Sequence, residues 1–216
     1  PVFTLPVDGA STVACAADAV VPVPPVVTDN CGRSIVPSAP VVSADPACGG
    51  TKTYSFTYTD CSGDSKTWTY TYTFPVPAFT LPANGSSVVT CLSDAVVPIA
   101  PTVVDACGAA VSPAMTVGAD PVCAGAKVYT FTYSNCSGQP AVWTYTYTIA
   151  APTVTLPVDG SSTVACVADA VTPTAPTVLD NCGRSITPTM TVGTDPVCVG
   201  IKVYTFTYTD CNNQTY

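Results

Sequence analysis

Polar and aromatic residues alternate strictly along two neighbouring stretches of this chain. In 53–58 (TYSFTY) Tyr54, Phe56 and Tyr58 fall on one side of an extended backbone, opposite Thr53, Ser55 and Thr57. In 67–74 (TWTYTYTF) Trp68, Tyr70, Tyr72 and Phe74 share a side, again opposite threonines. A period of two built from β-branched and aromatic residues predicts half-buried antiparallel strands. The intervening DCSGDSK is rich in turn formers, so 51–74 should be a hairpin. Shorter strands are expected at FTLPV (3–7), STVACAA (11–17) and PPVVTD (24–29), separated by VDGA and DNCG. Six or seven short strands in about 75 residues predict a small β-sandwich of immunoglobulin-like type, with aromatic faces between the sheets and threonine faces toward water.

The pattern is written three times. FTLP at 3–6 returns at 79–82 and as VTLP at 154–157, and the hairpin of 51–74 returns at 126–149 and, in part, from 201. Self-similarity at this period predicts tandem repeats over 1–76, 77–151 and 152–216. Tyr216 aligns with Lys66, so the third repeat carries no counterpart of TWTYTYTF, and Pro1 aligns with Pro77 and Pro152. Both ends fit a segment of a longer tandem array. Between Phe74 and Phe79 lies only PVPA, and between Ile149 and Val154 only AAPT. Proline-bearing linkers this short are stiff, and a semi-rigid rod is expected.

Composition narrows the function classes. Among 216 residues there are 22 prolines, 12 cysteines, no histidine, six Lys plus Arg, and fourteen acids, all of them Asp. Asp without Glu favours turns over helix interiors, and the scattered prolines break helices. A net charge of −8 leaves no basic patch for nucleic acid. No run of about 18 apolar residues is present, so no membrane span is expected in this segment.

The cysteines fall at 15, 31, 48 and 61, then 91, 107, 123 and 136, then 166, 182, 198 and 211. An even count at regular spacing reads as a disulfide framework in an oxidising compartment. Zinc fits poorly, with neither a Cys-x2-Cys pair nor a histidine. Cys48 and Cys61 flank a strand about 33 Å long when extended, too far for a bridge. Two schemes within a repeat remain. The preferred one is Cys15–Cys48 with Cys31–Cys61, because DNCG and TDCSG follow strands expected to end at one pole. Its counterparts are Cys91–Cys123 with Cys107–Cys136, and Cys166–Cys198 with Cys182–Cys211. At about 3–4 kcal/mol per bridge, their reduction is expected to unfold the repeats.

Candidate chemistry is sparse. Without histidine or glutamate, no general base or catalytic set can be assembled, and no cofactor is implied. Asp18, Asp29 and Asp45 recur as Asp94, Asp105 and Asp120 and as Asp169, Asp180 and Asp195; Asp60 recurs as Asn135 and Asp210. No D-x-D-x-D-G calcium loop occurs, and dispersed Asp residues are expected to accept backbone amides in turns. The tyrosines fit a core better than a sugar platform. Lys52, Lys127 and Lys202 begin the same strand and fit an edge or solvated position. NGS (84–86), NCS (135–137) and NQT (213–215) match the glycosylation sequon.

TDNCGRSI, LDNCGRSI, DPACGGTKTYSFTYTDCSG and WTYTYT together resemble the HYR-like (hyalin-repeat-related) modules of giant repetitive surface proteins of Bacteroidota. These include gliding-motility and biofilm adhesins exported by the type IX route. The resemblance covers all three repeats and implies an extracellular, cell-surface, immunoglobulin-like array serving adhesion or surface motility. The second repeat departs from it, with Ala106 and Ala109 in place of Asn and Arg, which points to a structural turn. Three readings follow: a non-catalytic stalk or spacer, a module binding surface glycans or other cell-surface proteins, or a filament subunit assembling by strand exchange. The partners expected first are neighbouring repeats of the same chain.

Overall fold

A computed structural model describes residues 1–216. The chain is an all-β tandem array of small immunoglobulin-like domains stapled by disulfides. Two compact units divide it. The first comprises Pro1–Ala83, Ala100–Ala114 and Phe131–Trp143, and the second Asn84–Ile99, Met115–Thr130 and Thr144–Tyr216.

The first unit begins with β1 (Gly9–Thr12), β2 (Val27–Thr28), β3 (Ser34–Ile35), β4 (Val41–Val42), β5 (Gly50–Thr59) and β6 (Ser65–Phe74). β5 and β6 form the expected hairpin, with Tyr54 opposite Tyr70 and Phe56 opposite Trp68. β4 and β1 flank it to give a sheet of order β1-β6-β5-β4, and β2 pairs separately with β3. Val27 and Ile35 of that small pair share one core with Phe3, Tyr54, Phe56, Tyr58, Trp68, Tyr72 and Phe74. The alternation explains the burial: aromatics occupy one face, while on the other Thr57 and Thr67 face each other across the strands with hydroxyls 3.4 Å apart. Tyr70, expected on the buried side, is only partly buried.

Two local expectations are corrected. FTLPV forms no strand; Phe3 is buried, but the backbone there is held at Val2 by Asn30. STVACAA is not a continuous strand: β1 ends at Thr12 and a 3-10 turn covers Ala16–Asp18. β1 runs parallel to β6. Side-chain bonds fix that parallel register: Trp68 Nε1 donates to the Val7 carbonyl at 2.9 Å and the Thr69 amide to Asp8 Oδ1 at 2.9 Å.

The middle repeat contributes β7 (Gly85–Val89), β8 (Val103–Val104), β9 (Ala110–Val111), β10 (Ala114–Val117), β11 (Gly125–Ser134) and β12 (Pro140–Ile149). Their larger sheet has the order β10-β11-β12-β7, with β7 again parallel to β12. In the second unit, β13 (Val178–Leu179) pairs with β14 (Ser185–Ile186), and β15 (Pro188–Val192) with β16 (Tyr204–Tyr208). Val178, Ile186 and Tyr208 form a small core in the third repeat, with Val154, Phe206 and Tyr216 packed against them.

The inter-repeat disulfides as candidate functional site

The cysteines sit on turns that the sequence builds repeatedly. At DNCGR the Asp29 carboxylate accepts the amides of Cys31 and Arg33, both at 2.9 Å, while the Asp29 amide donates to the Arg33 carbonyl. Gly32 completes the turn at φ 78°, a left-handed value that side chains with a Cβ resist. The hairpin tip uses the same device: Asp60 accepts the amides of Ser62 and Asp64, and Gly63 sits at φ 93°. Asp105, Asn135, Asp180 and Asp210 repeat it. In the last of these Asn213 takes the left-handed position at φ 63°, which asparagine tolerates better than most residues. The first cysteine of each repeat precedes a 3-10 turn whose Asp caps it: Asp18, Asp94 and Asp169 accept the amides of Cys15, Cys91 and Cys166 at 3.2 Å.

These turns set the cysteines at opposite poles of the first repeat. Cys61 lies at the β5–β6 tip, and Arg33 of the DNCGR turn reaches it, Nη2 to Sγ 3.1 Å. Cys15 and Cys48 lie at the other end, where Gly50 pairs with Phe74 and the Val13 amide donates to the Thr73 carbonyl. Strands of about ten residues at about 3.3 Å each separate the two ends.

The bridges join successive repeats. Cys15 pairs with Cys107 and Cys48 with Cys136 in the first unit; Cys91 pairs with Cys182 and Cys123 with Cys211 in the second. Their Cα atoms are 5.5 or 5.6 Å apart, within the range a disulfide needs. This corrects the pairing within repeats: Cys15–Cys48, Cys31–Cys61, Cys91–Cys123, Cys107–Cys136, Cys166–Cys198 and Cys182–Cys211 do not form. Cys31, Cys61, Cys166 and Cys198 are free thiols, all exposed. The grouping of cysteines by pole was sound. The choice of partner failed because a short linker brings the far pole of one repeat to the near pole of the next, as Cys15 and Cys107 show. The signal lay in the four-residue linkers, which leave no room for a solvated gap.

The rule behind the bridges is simple. The first cysteine of a repeat binds the second of the following one, and the third binds the fourth.

Arg33 and Arg184 serve these poles. Arg33 Nε donates to Asp29 Oδ2 at 3.0 Å, and Arg184 Nε to Asp180 Oδ2 at 2.7 Å. The Arg33 amide, with help from the Cys31 amide and the guanidinium, holds the Asp29 carboxyl below the usual carboxylate range against the opposing effect of burial. Burial is the largest influence on Asp180 and opposes its ionisation, yet the hydrogen bonds from Arg184 and Cys182 outweigh it and the carboxyl is again lowered. Hydrogen bonds to Cys61 and Asp29 raise Arg33 above its ordinary value.

The remaining candidates resolve individually. Lys52, Lys127 and Lys202 each form an ion pair with the Asp seven residues before it: Lys52–Asp45 and Lys202–Asp195 at 2.6 Å, and Lys127–Asp120. The solvated reading of these lysines is corrected, since Lys127 is buried; its carboxylate partner and the Gly118 carbonyl offset the desolvation of the ammonium. Their common offset of seven residues was the sequence signal. Tyr54, Tyr129 and Tyr204 donate hydroxyls to the carbonyls of Ala19, Ala95 and Ala170, and Tyr58, Tyr133 and Tyr208 to Pro25, Pro101 and Pro176. The tyrosines therefore pack inward and satisfy the proline-rich segments that have few strand partners. Asn84 and Asn135, in two of the sequons, accept backbone amides. No group of three or more acidic or cysteine side chains converges as metal ligands.

Disulfides of this density mark an extracellular, oxidising setting, and no helix is long and apolar enough to cross a membrane. No curated protein matches the chain. The family model described as "HYR-like domain with 4 cysteines" matches residues 3–74, 79–149 and 154–216. The chain belongs to that family of four-cysteine HYR-like domains.

Proposed function

We propose that the chain is a load-bearing spacer of an extracellular adhesion-type protein, with repeats spanning 1–76, 77–151 and 152–216. The observation that carries this reading is the route of the covalent bonds. From Pro1 the shortest path enters Cys15, crosses to Cys107, follows the backbone to Cys123 and crosses to Cys211. Tension applied at the two ends is taken up by two disulfides and about 35 residues, an extended length of about 120 Å, against about 750 Å for the unbridged chain. A spacer gains from such clips because the hairpins lie outside the tensioned path.

The setting we propose, on the family resemblance, is a cell-surface array of the kind carried by giant adhesins of Bacteroidota that leave the cell by the type IX route. The Asp residues and threonine faces suit it, giving a mild negative field and a wettable surface. Carbohydrate binding through the tyrosines has less support, because seven of their hydroxyls are engaged with the chain's own carbonyls. Single-molecule stretching between the ends tests the spacer reading. Extension should stop near 120 Å when oxidised and approach 750 Å in strong reductant. Equal extensions under both conditions would refute it.

A further inference from the structure

The bridge from third to fourth cysteine occurs twice, as Cys48–Cys136 and as Cys123–Cys211. Exposure does not separate the two: Cys48 and Cys123 are half-buried, Cys136 and Cys211 exposed. A cation does. Arg184 Nη2 lies 3.1 Å from the Sγ of Cys211, whereas the corresponding turn residue of the middle repeat is Ala109. No other bridged sulfur accepts a hydrogen bond from a cationic side chain. We propose that Cys123–Cys211 is a thiol-exchange site, where a low-molecular-weight thiol adds to Cys123 and Arg184 receives Cys211 as the departing thiolate.

The guanidinium is held on the bridge from both sides. Nε donates to Asp180 Oδ2 at 2.7 Å, and Nη1 to the carbonyl of Val122, the residue before Cys123, at 3.2 Å. The Asp180 side chain is only 3% accessible, so the turn that carries Arg184 also fixes its direction. When a disulfide is attacked, the electron pair of the S–S bond passes to the sulfur that leaves, and a stabilised thiolate leaves faster. Only charge developing on Cys211 meets a guanidinium, in a charge-assisted contact. Attack is therefore directed to the Cys123 sulfur. Asp180 shares the cation's charge and Arg184 is 43% accessible, which holds the gain to about fivefold at low ionic strength. Asp210 precedes Cys211, but its Oδ1 accepts the amides of Asn212 and Gln214 and its Oδ2 the Tyr216 hydroxyl. Its charge is taken up by donors of its own turn.

The exchange balances in two steps. A thiolate attacks Cys123 Sγ, forms a mixed disulfide there and releases the Cys211 thiolate. A second thiolate attacks the added sulfur and releases the Cys123 thiolate. Two external thiols become one disulfide, and the bridge gains two electrons and two protons.

Opening this one bridge gives a limited extension. The shortest covalent route between Pro1 and Tyr216 then crosses Cys15–Cys107, runs back to Cys91 and crosses to Cys182. It holds about 65 residues and spans about 220 Å at full extension, where the closed form spans about 120 Å. This consequence rests on the spacer reading; the exchange itself does not, and it is measured in solution without load.

The test uses the full chain, its free thiols first capped with N-ethylmaleimide. It is exposed to dithiothreitol, quenched at intervals with iodoacetamide, and peptide-mapped for the opening rate of each bridge. Cys123–Cys211 should open first. Arg184→Ala should slow it about fivefold, and Ala109→Arg should speed Cys48–Cys136 about as much, because Asp105 holds its turn as Asp180 does. Both effects should shrink in about 1 M salt. With glutathione as the thiol, the trapped intermediate should carry glutathione on Cys123 and the alkyl group on Cys211. Unchanged or faster opening in Arg184→Ala, an unmoved Cys48–Cys136 in Ala109→Arg, effects indifferent to salt, or glutathione trapped on Cys211 would each overturn the proposal. Should Arg184→Ala fail to fold, Ala109→Arg and the glutathione position decide it alone. Stretching can fail to show a spacer while these rates hold, and the reverse, so the two readings fall separately.

Discussion

The turn at 29–33 and the turn at 105–109 are the same backbone dressed differently. Each has an Asp whose Oδ1 accepts two amides at 2.9 Å, an Asp amide donating to the carbonyl four residues on, and a left-handed glycine, at φ 78° and φ 82°. The first carries Asn30 and Arg33 and a free Cys31; the second carries Ala106 and Ala109 and a bridged Cys107. Geometry is therefore indifferent both to the disulfide and to the arginine. Asp and Gly shape the turn, and the cysteine it displays is a passenger that can be linked or left free.

Breaking the bridges is the strongest perturbation of that comparison. Each closes a segment of 88 to 92 residues, worth about 4–5 kcal/mol in the chain-entropy picture. Reduction should lower the melting temperature by more than about 10 °C, at about 2–4 °C per kcal/mol for a chain of this size. Below the new transition, hydrogen exchange at the Arg33 and Ala109 amides should be equally slow. Loss of protection at Ala109 alone would mean that the disulfide, not Asp105, holds that turn.

Next in size is Asp105→Ala, which strips two amides of their acceptor at a cost of about 1.5–3 kcal/mol. Asp105→Asn should recover most of this, because Asn135 already plays the part, accepting the amides of Ser137 and Gln139. Chemical denaturation of the three proteins would rank them. An asparagine variant as weak as the alanine one would show that charge, not geometry, matters. A smaller loss, about 1 kcal/mol, is expected for Gly108→Ala, where a Cβ meets open space but the backbone is left-handed. Gly108→Asn should cost less, as Asn213 at φ 63° indicates.

Much of this was legible in the sequence, for physical reasons that also mark the limits. Tyr54, Phe56 and Tyr58 alternate with hydroxyl residues because one face of β5 is buried, and a period of two can be read without coordinates. The Asp turns were legible because a short carboxylate that caps amides leaves a local signature. The disulfide partners were not, since Cys15 and Cys107 are 92 residues apart and nothing local distinguishes a pole facing its neighbour from one stapled to itself. FTLPV misled for another reason: Phe3 supplies a core side chain, and Asn30 holds the adjoining Val2 where a strand partner was expected. Lys52 and Asp45 recur together in every repeat, and only their fixed offset, not either residue alone, marks the ion pair.

Arg33→Ala is the smallest change and the sharpest, because it leaves Asn30 as the one side chain by which the 29–33 turn differs from 105–109. The guanidinium is more than half exposed, its side chain 58% accessible, while that of Asp29 is 3% accessible, so the pair is screened on one side only. Its loss should shift the melting temperature by no more than about 2 °C at neutral pH. The sign with pH follows from Asp29, whose carboxyl in the folded chain lies below its ordinary 3.8. A depressed carboxyl stabilises the fold at pH values above its unfolded value and loses that contribution as pH falls through the folded one. The gap between wild type and Arg33→Ala should therefore be constant from neutral pH down to about 4 and close below it, as protonation removes the charge that the guanidinium pairs with. A gap that instead persisted in acid would mean that Arg33 acts through Cys61, the other partner its guanidinium touches, and that the two turns differ in more than their dressing.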